Sequence, residues 1–192
     1  MPRQTGKATR RTILDAAYEL FYRKGYTRVG VDEVAALAKV TKRTLYYHFK
    51  SKDDLLADVL SWQAELAVAR IRKYEKNYAG GAQRFLTVLF SEFKRWSAKP
   101  GWSGSGITRL AMELADLPGH PARRVAKRHK EDVQKWVAEM LLEAGVRSAR
   151  ERAREIQLLL EGANALTLIT GDRDYSDVAA KAARRLLGNP NL

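Results

Sequence analysis

The sequence predicts an all-α fold of about nine helices. Three observations predict it. Apolar residues recur at i, i+3 and i+4, the spacing of one helix face, and no stretch alternates convincingly enough to make a strand. Glycine, proline and hydroxyl residues fall between those stretches, where helices start and stop. At 192 residues the chain is long enough to bury a sizeable core.

Residues 1–8 are basic and unpatterned and read as a mobile arm. Thr9 opens a helix to about Lys24, with Ile13, Leu14, Ala17, Leu20 and Phe21 inward. Gly25 stands where a left-handed cap is expected. Residues 26–30 lead into a second helix, Asp32 to Ala38, whose Val34, Leu37 and Ala38 face a core. Lys39, Val40 and Thr41 break the pattern. Thr41 is a good N-cap, because its hydroxyl can accept from a free backbone N–H of the next helix. That helix, Lys42 to Phe49, turns only Leu45 and Phe49 inward. Lys42, Arg43, Thr44, Tyr46, Tyr47 and His48 are left outside. The first ~50 residues are therefore three helices, the last two a helix-turn-helix.

Ser51, with Asp53 and Asp54 behind it, starts a helix that runs to about Tyr78. Leu55, Leu56, Val59, Leu60, Trp62, Leu66 and Ile71 form its inner stripe. At ~25 residues it reaches ~37 Å, enough to join two domains. Ala79 to Gly81 end it. Gln83 to Ala98 is apolar at Phe85, Leu86, Leu89, Phe90, Phe93 and Trp96. After a Pro/Gly/Ser loop, Ile107 to Leu117 is a short helix, stopped by Pro118 to Pro121. Ala122 to Ala144 turns Val125, Val133, Trp136, Val137, Met140 and Leu141 inward. Ser148 and Glu151 read as a capping box for Ala149 to Thr170, whose inner positions include Ile156, Leu159, Leu160, Ala163, Leu166 and Ile169. Ser176 caps a last helix, Asp177 to Leu187, with Val178, Ala179, Ala182, Ala183, Leu186 and Leu187 inward. The domain boundary is expected at residue 50, with the motif at about 30–49 and a second domain over 51–192.

The net charge is +13 and the isoelectric point about 10.1. Residues 1–52 hold 12 Lys/Arg against 4 Asp/Glu, so the excess surrounds the helix pair. A polyanion is the expected partner. Basic and hydroxyl groups on a helix narrow enough for a major groove suit double-stranded DNA. There is no Cys, which excludes disulfides, thiolate chemistry and Cys-zinc sites. The three His lack ligand-like spacing, so no metal is expected. No nucleophile elbow, P-loop or convincing dinucleotide fingerprint occurs. No catalytic residue, cofactor or enzymatic activity is expected. No apolar run approaches a membrane span and the N-terminus lacks an apolar signal core, so a cytoplasmic protein without a membrane partner is expected.

The pattern Leu20-Phe21-x-x-x-Gly25-Tyr26, then Val31-x-x-Val34-Ala35-x-x-Ala38, then Val40-Thr41-x-x-Thr44-Leu45-Tyr46-Tyr47-His48-Phe49-x-Ser51-Lys52-x-x-Leu55 closely resembles the TetR/AcrR family of bacterial transcriptional regulators. The resemblance covers roughly residues 9–56. Beyond them, the segment from Gly106 through His120-Pro121 to Gly171 looks like a common C-terminal variant of that family. The resemblance implies a repressor that binds a pseudo-palindromic operator as a homodimer and is released by a small-molecule effector. It implies that Lys42, Arg43 and Thr44 approach base edges while Tyr46, Tyr47, His48 and Lys52 hold phosphates. Spacing alone does not sort base contacts from phosphate contacts. Thr27 and Thr41 complete the candidate DNA-contacting set. Dimerisation is implied through the Ala149–Thr170 and Asp177–Leu187 helices, where Gly162 and several alanines allow close approach. Trp62, Phe93, Trp96, Met112, Trp136 and Met140 are the candidate lining of an apolar effector cavity, and their helical spacing equally suits plain core.

Two positions depart from the family's pattern. Gly30 stands where Thr or Ser is usual before the second helix. Lys39 stands where the turn usually has Gly, and a positive φ there would cost a lysine about 1 kcal/mol.

Overall fold

The computed structural model describes the backbone of residues 2–75 and 81–187, with side chains from 6 to 70 and from 81 to 187. Nine helices and no strand occur among the described residues. They are α1 (Pro2–Lys24), α2 (Val31–Leu37), α3 (Lys42–His48), α4 (Lys52–Glu75), α5 (Gly81–Ser97), α6 (Gly106–Met112), α7 (Pro121–Glu143), α8 (Ala149–Thr170) and α9 (Tyr175–Leu186). The expected helix end at Tyr78 to Gly80 and the side chain of Ile71 lie outside the described residues.

The chain forms two compact units. Unit 1 holds residues 1–67 and 106–129; unit 2 holds 68–105 and 130–192. In unit 1, α1 packs against α2, α3 and α6. Its core joins Ile13, Ala17 and Phe21 to Val34, Leu45, Leu56, Leu60 and Leu110, all fully enclosed. Burying each of the larger side chains among them contributes roughly 1.5–3 kcal/mol. In unit 2, α9 packs against both α5 and α8. Small residues make that possible: Ala179, Ala180 and Ala183 meet Ala153, Ile156 and Ala163 there, with Phe85, Leu86, Phe90, Val137 and Leu141 filling the rest of the core.

Several expectations need correction. Helix α1 begins at Pro2, so residues 2–8 are helical rather than an arm. Proline is tolerated in a first helical turn, and Gly6 alone does not stop the helix. Leu37 is 45% exposed and Ala35 takes its place in the core. Leu66, Leu166, Ile169 and Val178 are also exposed rather than inward. Ser148 is left-handed, with φ +54°, and makes no side-chain cap to α8. Ser176 lies inside α9, fully buried, instead of capping it. Residues 106–129 cluster with the N-terminal helices, so the compact units are a different division from the functional one expected at residue 50.

Candidate nucleic-acid interface

The α2–α3 pair is held from beneath. Leu45 and Phe49 are buried in the unit 1 core, and Arg10 lies over the Phe49 ring, its guanidinium carbon 4.9 Å from the centroid. Thr41 caps α3: its Oγ1 accepts from the Thr44 backbone N–H at 3.0 Å. The Thr41 and Thr44 hydroxyls also meet at 2.8 Å, so the two expected contacts brace one another at the start of the helix. Between the helices, Lys39 adopts φ +55°. Its N–H donates to Ala36 O at 3.1 Å, and the N–H of Val40 donates to Ala35 O at 3.0 Å. This is the left-handed close of α2 that glycine would make without steric cost.

With its base fixed, α3 presents Lys42, Arg43, Tyr46 and Tyr47 outward. Tyr47 is 85% exposed, an unusual position for a large aromatic. His48 is half-buried, with its ring 5.2 Å from that of Tyr47 and 6.4 Å from that of Phe49. Lys42 pairs with Asp32 at 3.0 Å, which raises its pKa, chiefly through the hydrogen bond. The pair is exposed, and such pairs contribute little in water. Gly30 caps α2 in extended conformation without any side-chain bond.

At the start of α4, Ser51 caps the helix, accepting from the Asp54 N–H at 3.0 Å and donating to its carboxylate at 2.9 Å. Lys52 Nζ sits 4.1 Å from the centroid of the Tyr26 ring. Burial holds its pKa below the usual lysine value. The Tyr26 hydroxyl donates to Asp53 Oδ1, and His120 Nε2 lies 3.4 Å from that oxygen. The Asp53 carboxyl is held below the usual range, first by the Tyr26 hydrogen bond. The Tyr26 hydroxyl is pushed up, first by burial and then by Asp53.

Sequence reasoning did not find the supports of this face. Glu113 accepts from the backbone N–H groups of Tyr26 at 2.8 Å and Thr27 at 3.4 Å. Thr27 itself is exposed beside them. Gly25 is required here for two reasons: its φ is +88°, and a Cβ would come within 3.0 Å of the Glu113 carboxylate. Arg109 donates to the Phe21 and Tyr22 carbonyls at the end of α1. His120 accepts from the Ala122 N–H through Nδ1 at 3.1 Å, which caps α7 and leaves Nε2 facing Asp53. The helix expected over Ile107 to Leu117 ends at Met112, which puts Glu113 in the turn after α6, and nothing in the sequence names its partner 87 residues away.

The sequence profile described as "Bacterial regulatory proteins, tetR family" matches residues 13–59, spanning α1 to the first part of α4. The HTH-type transcriptional regulator AcrR of Shigella flexneri is 37% identical over 76 residues, which are 40% of this chain and 34% of that one. The HTH-type transcriptional regulator QacR of Staphylococcus aureus is 35% identical over 65 residues, 31% of this chain and 35% of that one. The chain thus aligns with about a third of the length of these curated relatives. A solved putative TetR transcriptional regulator from Streptomyces avermitilis superposes with a TM-score of 0.78 at 27% identity, covering 91% of this chain and 97% of that one. Residues 13–59 thus carry the tetR-family regulatory segment, and the chain is similar over most of its length to a solved putative TetR regulator. The reduced form of Escherichia coli NemR shares the fold, with a TM-score of 0.87 at 19% identity over 96% of this chain and 100% of that one.

The six candidate effector residues do not gather in one unit. Trp62 and Met112 belong to unit 1. Trp62 packs edge-on to Tyr18 beneath Arg11, whose guanidinium carbon is 3.8 Å from its ring. Met112 is 67% exposed. In unit 2, Phe93 and Trp96 are joined by Trp102, which the expected set omitted, with ring centroids 5.7–6.5 Å apart. Trp136 packs on Phe85 at 5.4 Å, and Met140 lies against the same core. Among the described residues no group of three or more His, Asp or Glu is placed to hold a metal ion.

Proposed function

We propose that the chain is a ligand-responsive transcriptional regulator, most simply a repressor. As a homodimer it binds a pseudo-palindromic operator through α3 and is released by a small-molecule effector. The observation that carries this reading is the outward face of α3. Two basic side chains and two tyrosines are exposed on a helix whose other side is anchored by Leu45 and Phe49. Lys42, Arg43 and Thr44 lie in its first turn, the part of a recognition helix that meets base edges. Tyr46, Tyr47, His48, Lys52, Thr27 and Thr41 flank it as backbone contacts. The functional division stays near residue 50, with effector binding and dimerisation in the remainder.

The dimer reading is supported by α8 and α9. Leu158, Gly162, Ala165, Leu166 and Ile169 fall on one stripe of α8 at helical spacing. Leu158, Leu166 and Ile169 are exposed, and a Cβ added at Gly162 would meet nothing within 4 Å. Val178 of α9 is exposed as well. Apolar area left open at small residues suits a partner helix at close range. Among the described residues no helix is long and apolar enough to cross a membrane, which agrees with a cytoplasmic regulator.

The test is an operator selected from random duplexes with the full chain, then titrated with Arg43→Ala and Tyr47→Ala variants. Arg43→Ala should weaken binding by about 1–3 kcal/mol and relax sequence preference at one position per half-site. Tyr47→Ala should weaken specific and non-specific binding alike. Unchanged affinity in both would remove α3 as the reading face.

A further inference from the structure

We propose that Arg10 is a positioning residue for DNA reading: held by Asp58 and set over the Phe49 ring, it fixes how the end of α3 presents His48 and Tyr47. The proposal deepens the DNA-binding reading and rests on it for what this placement achieves.

Helix α3 has only seven residues, too few to be stable in isolation, so its direction is set by what holds its two ends. The first end is held by the Thr41 cap. The last end is held by a side chain. Phe49 has already left the helix, with φ −137° and ψ 126°, while its N–H still donates to Leu45 O at 3.0 Å. Phe49 is 3% exposed. The seat of its ring therefore decides where α3 stops and how residues 50–51 lead into α4.

Arg10 bears on that ring. Its guanidinium carbon is 4.9 Å from the ring centroid, and its Nη2 donates to Asp58 Oδ2 at 2.6 Å. One planar group thus joins α1, the end of α3 and the second turn of α4. Both charged side chains are 42% exposed, so the ion pair by itself adds little stability. Its consequence is aim, because it keeps the guanidinium over the ring. From there the contacts continue outward. The His48 ring is 6.4 Å from that of Phe49, and the Tyr47 ring meets His48 edge-on at 5.2 Å. A chain of contacts therefore runs from the Asp58 carboxylate to Tyr47 on the outward face of α3. Arg10 and Asp58 themselves stand on α1 and α4, away from that face. Their effect on DNA is to be sought in sequence preference rather than in charge.

The experiment compares the full chain with Arg10→Lys and Asp58→Ala, titrating each with the selected operator and with a random duplex. Arg10→Lys keeps the charge and loses the planar group that stacks. It should weaken operator binding about tenfold, with affinity for the random duplex and the salt slope unchanged. Asp58→Ala removes a negative charge, which by electrostatics alone would tighten binding to any duplex. The positioning role requires the opposite for the operator, a several-fold loss. Hydrogen exchange without DNA should show the Phe49 amide opening several-fold faster in both variants, with the amides of Ala17 and Phe21 unchanged. Parental operator affinity in Arg10→Lys would reduce Arg10 to a point charge and overturn the proposal. So would tighter binding of both duplexes by Asp58→Ala, or a lower urea midpoint with an unchanged ratio of operator to random-duplex affinity. If the parent chain selects no operator, the DNA-binding reading fails, and exchange at Phe49 alone decides whether Arg10 holds the end of α3.

Discussion

His120 Nε2 lies 3.4 Å from Asp53 Oδ1, the same oxygen that accepts the hydrogen bond of the Tyr26 hydroxyl. One carboxylate therefore ties the first residues of α4 to the turn after α1 and to the cap of α7. Lys52, the neighbouring residue, is placed over the Tyr26 ring by the same arrangement.

A pH dependence follows from this contact. The folded-state pKa of Asp53 is depressed, so its contribution is present above the ordinary carboxylate range and is lost as pH falls below about 4. The Tyr26 pKa is raised, so its contribution is full below about pH 10 and is lost as pH climbs above it. Tyr26→Phe should cost about 1 kcal/mol at pH 7, the net worth of one hydrogen bond. The gap from the parent protein should narrow at both ends. Urea midpoints at acidic, neutral and alkaline pH check this; a constant gap would refute the coupling.

Glu113 should matter more than its place in the turn after α6 suggests. Glu113→Ala leaves the N–H of buried Tyr26 without an acceptor, at a cost of about 1–3 kcal/mol. Glu113→Gln keeps a carbonyl in place and should cost less than half of that. Equal losses in the two variants, measured by chemical denaturation, would mean the charge matters and the accepted hydrogen bonds do not.

How legible this was in the sequence depends on the range of the interaction. The helices of unit 1 are local: Ile13, Ala17 and Phe21 define a stripe, and Thr41 is a cap within four residues of its target. Spacing reads such features directly. Glu113, Arg109 and His120 act on residues far away in sequence, and no period encodes that. The exposed Leu166, Ile169 and Val178 were misplaced for a different reason. An apolar residue at helical spacing looks the same whether it faces its own core or a second copy. Trp102 stands in the loop after α5, where periodicity does not tell which rings it meets.

Lys39 carries a strain that a single substitution can measure. At φ +55° a residue with a Cβ costs about 1 kcal/mol, so Lys39→Gly should stabilise the protein by about 0.5–1 kcal/mol after the larger unfolded-state freedom of glycine is counted. If the lysine also holds a phosphate, the same variant should bind the operator more weakly, with a salt slope reduced by about one. Denaturation and a salt titration of operator affinity separate these effects. A destabilised Lys39→Gly would show that the turn draws more from the lysine side chain than it loses to the backbone.

The last prediction concerns the stripe on α8. Ile169 is 78% exposed, with Leu166 and Leu158 exposed one and three turns earlier. Ile169 is mostly exposed in the unit itself, so Ile169→Asp should leave helix content unchanged. In a dimer built on this stripe it would bury a carboxylate against apolar side chains, a loss of several kcal/mol that no exposed site would incur. Sedimentation should find the parent protein dimeric and the variant monomeric. The melting temperature should depend on concentration in the parent protein only, because association stabilises by mass action. Operator affinity should fall with the dimer, since each half-site is then bound alone. A variant that remains dimeric, with its melting still concentration-dependent, would move the interface off this face of α8.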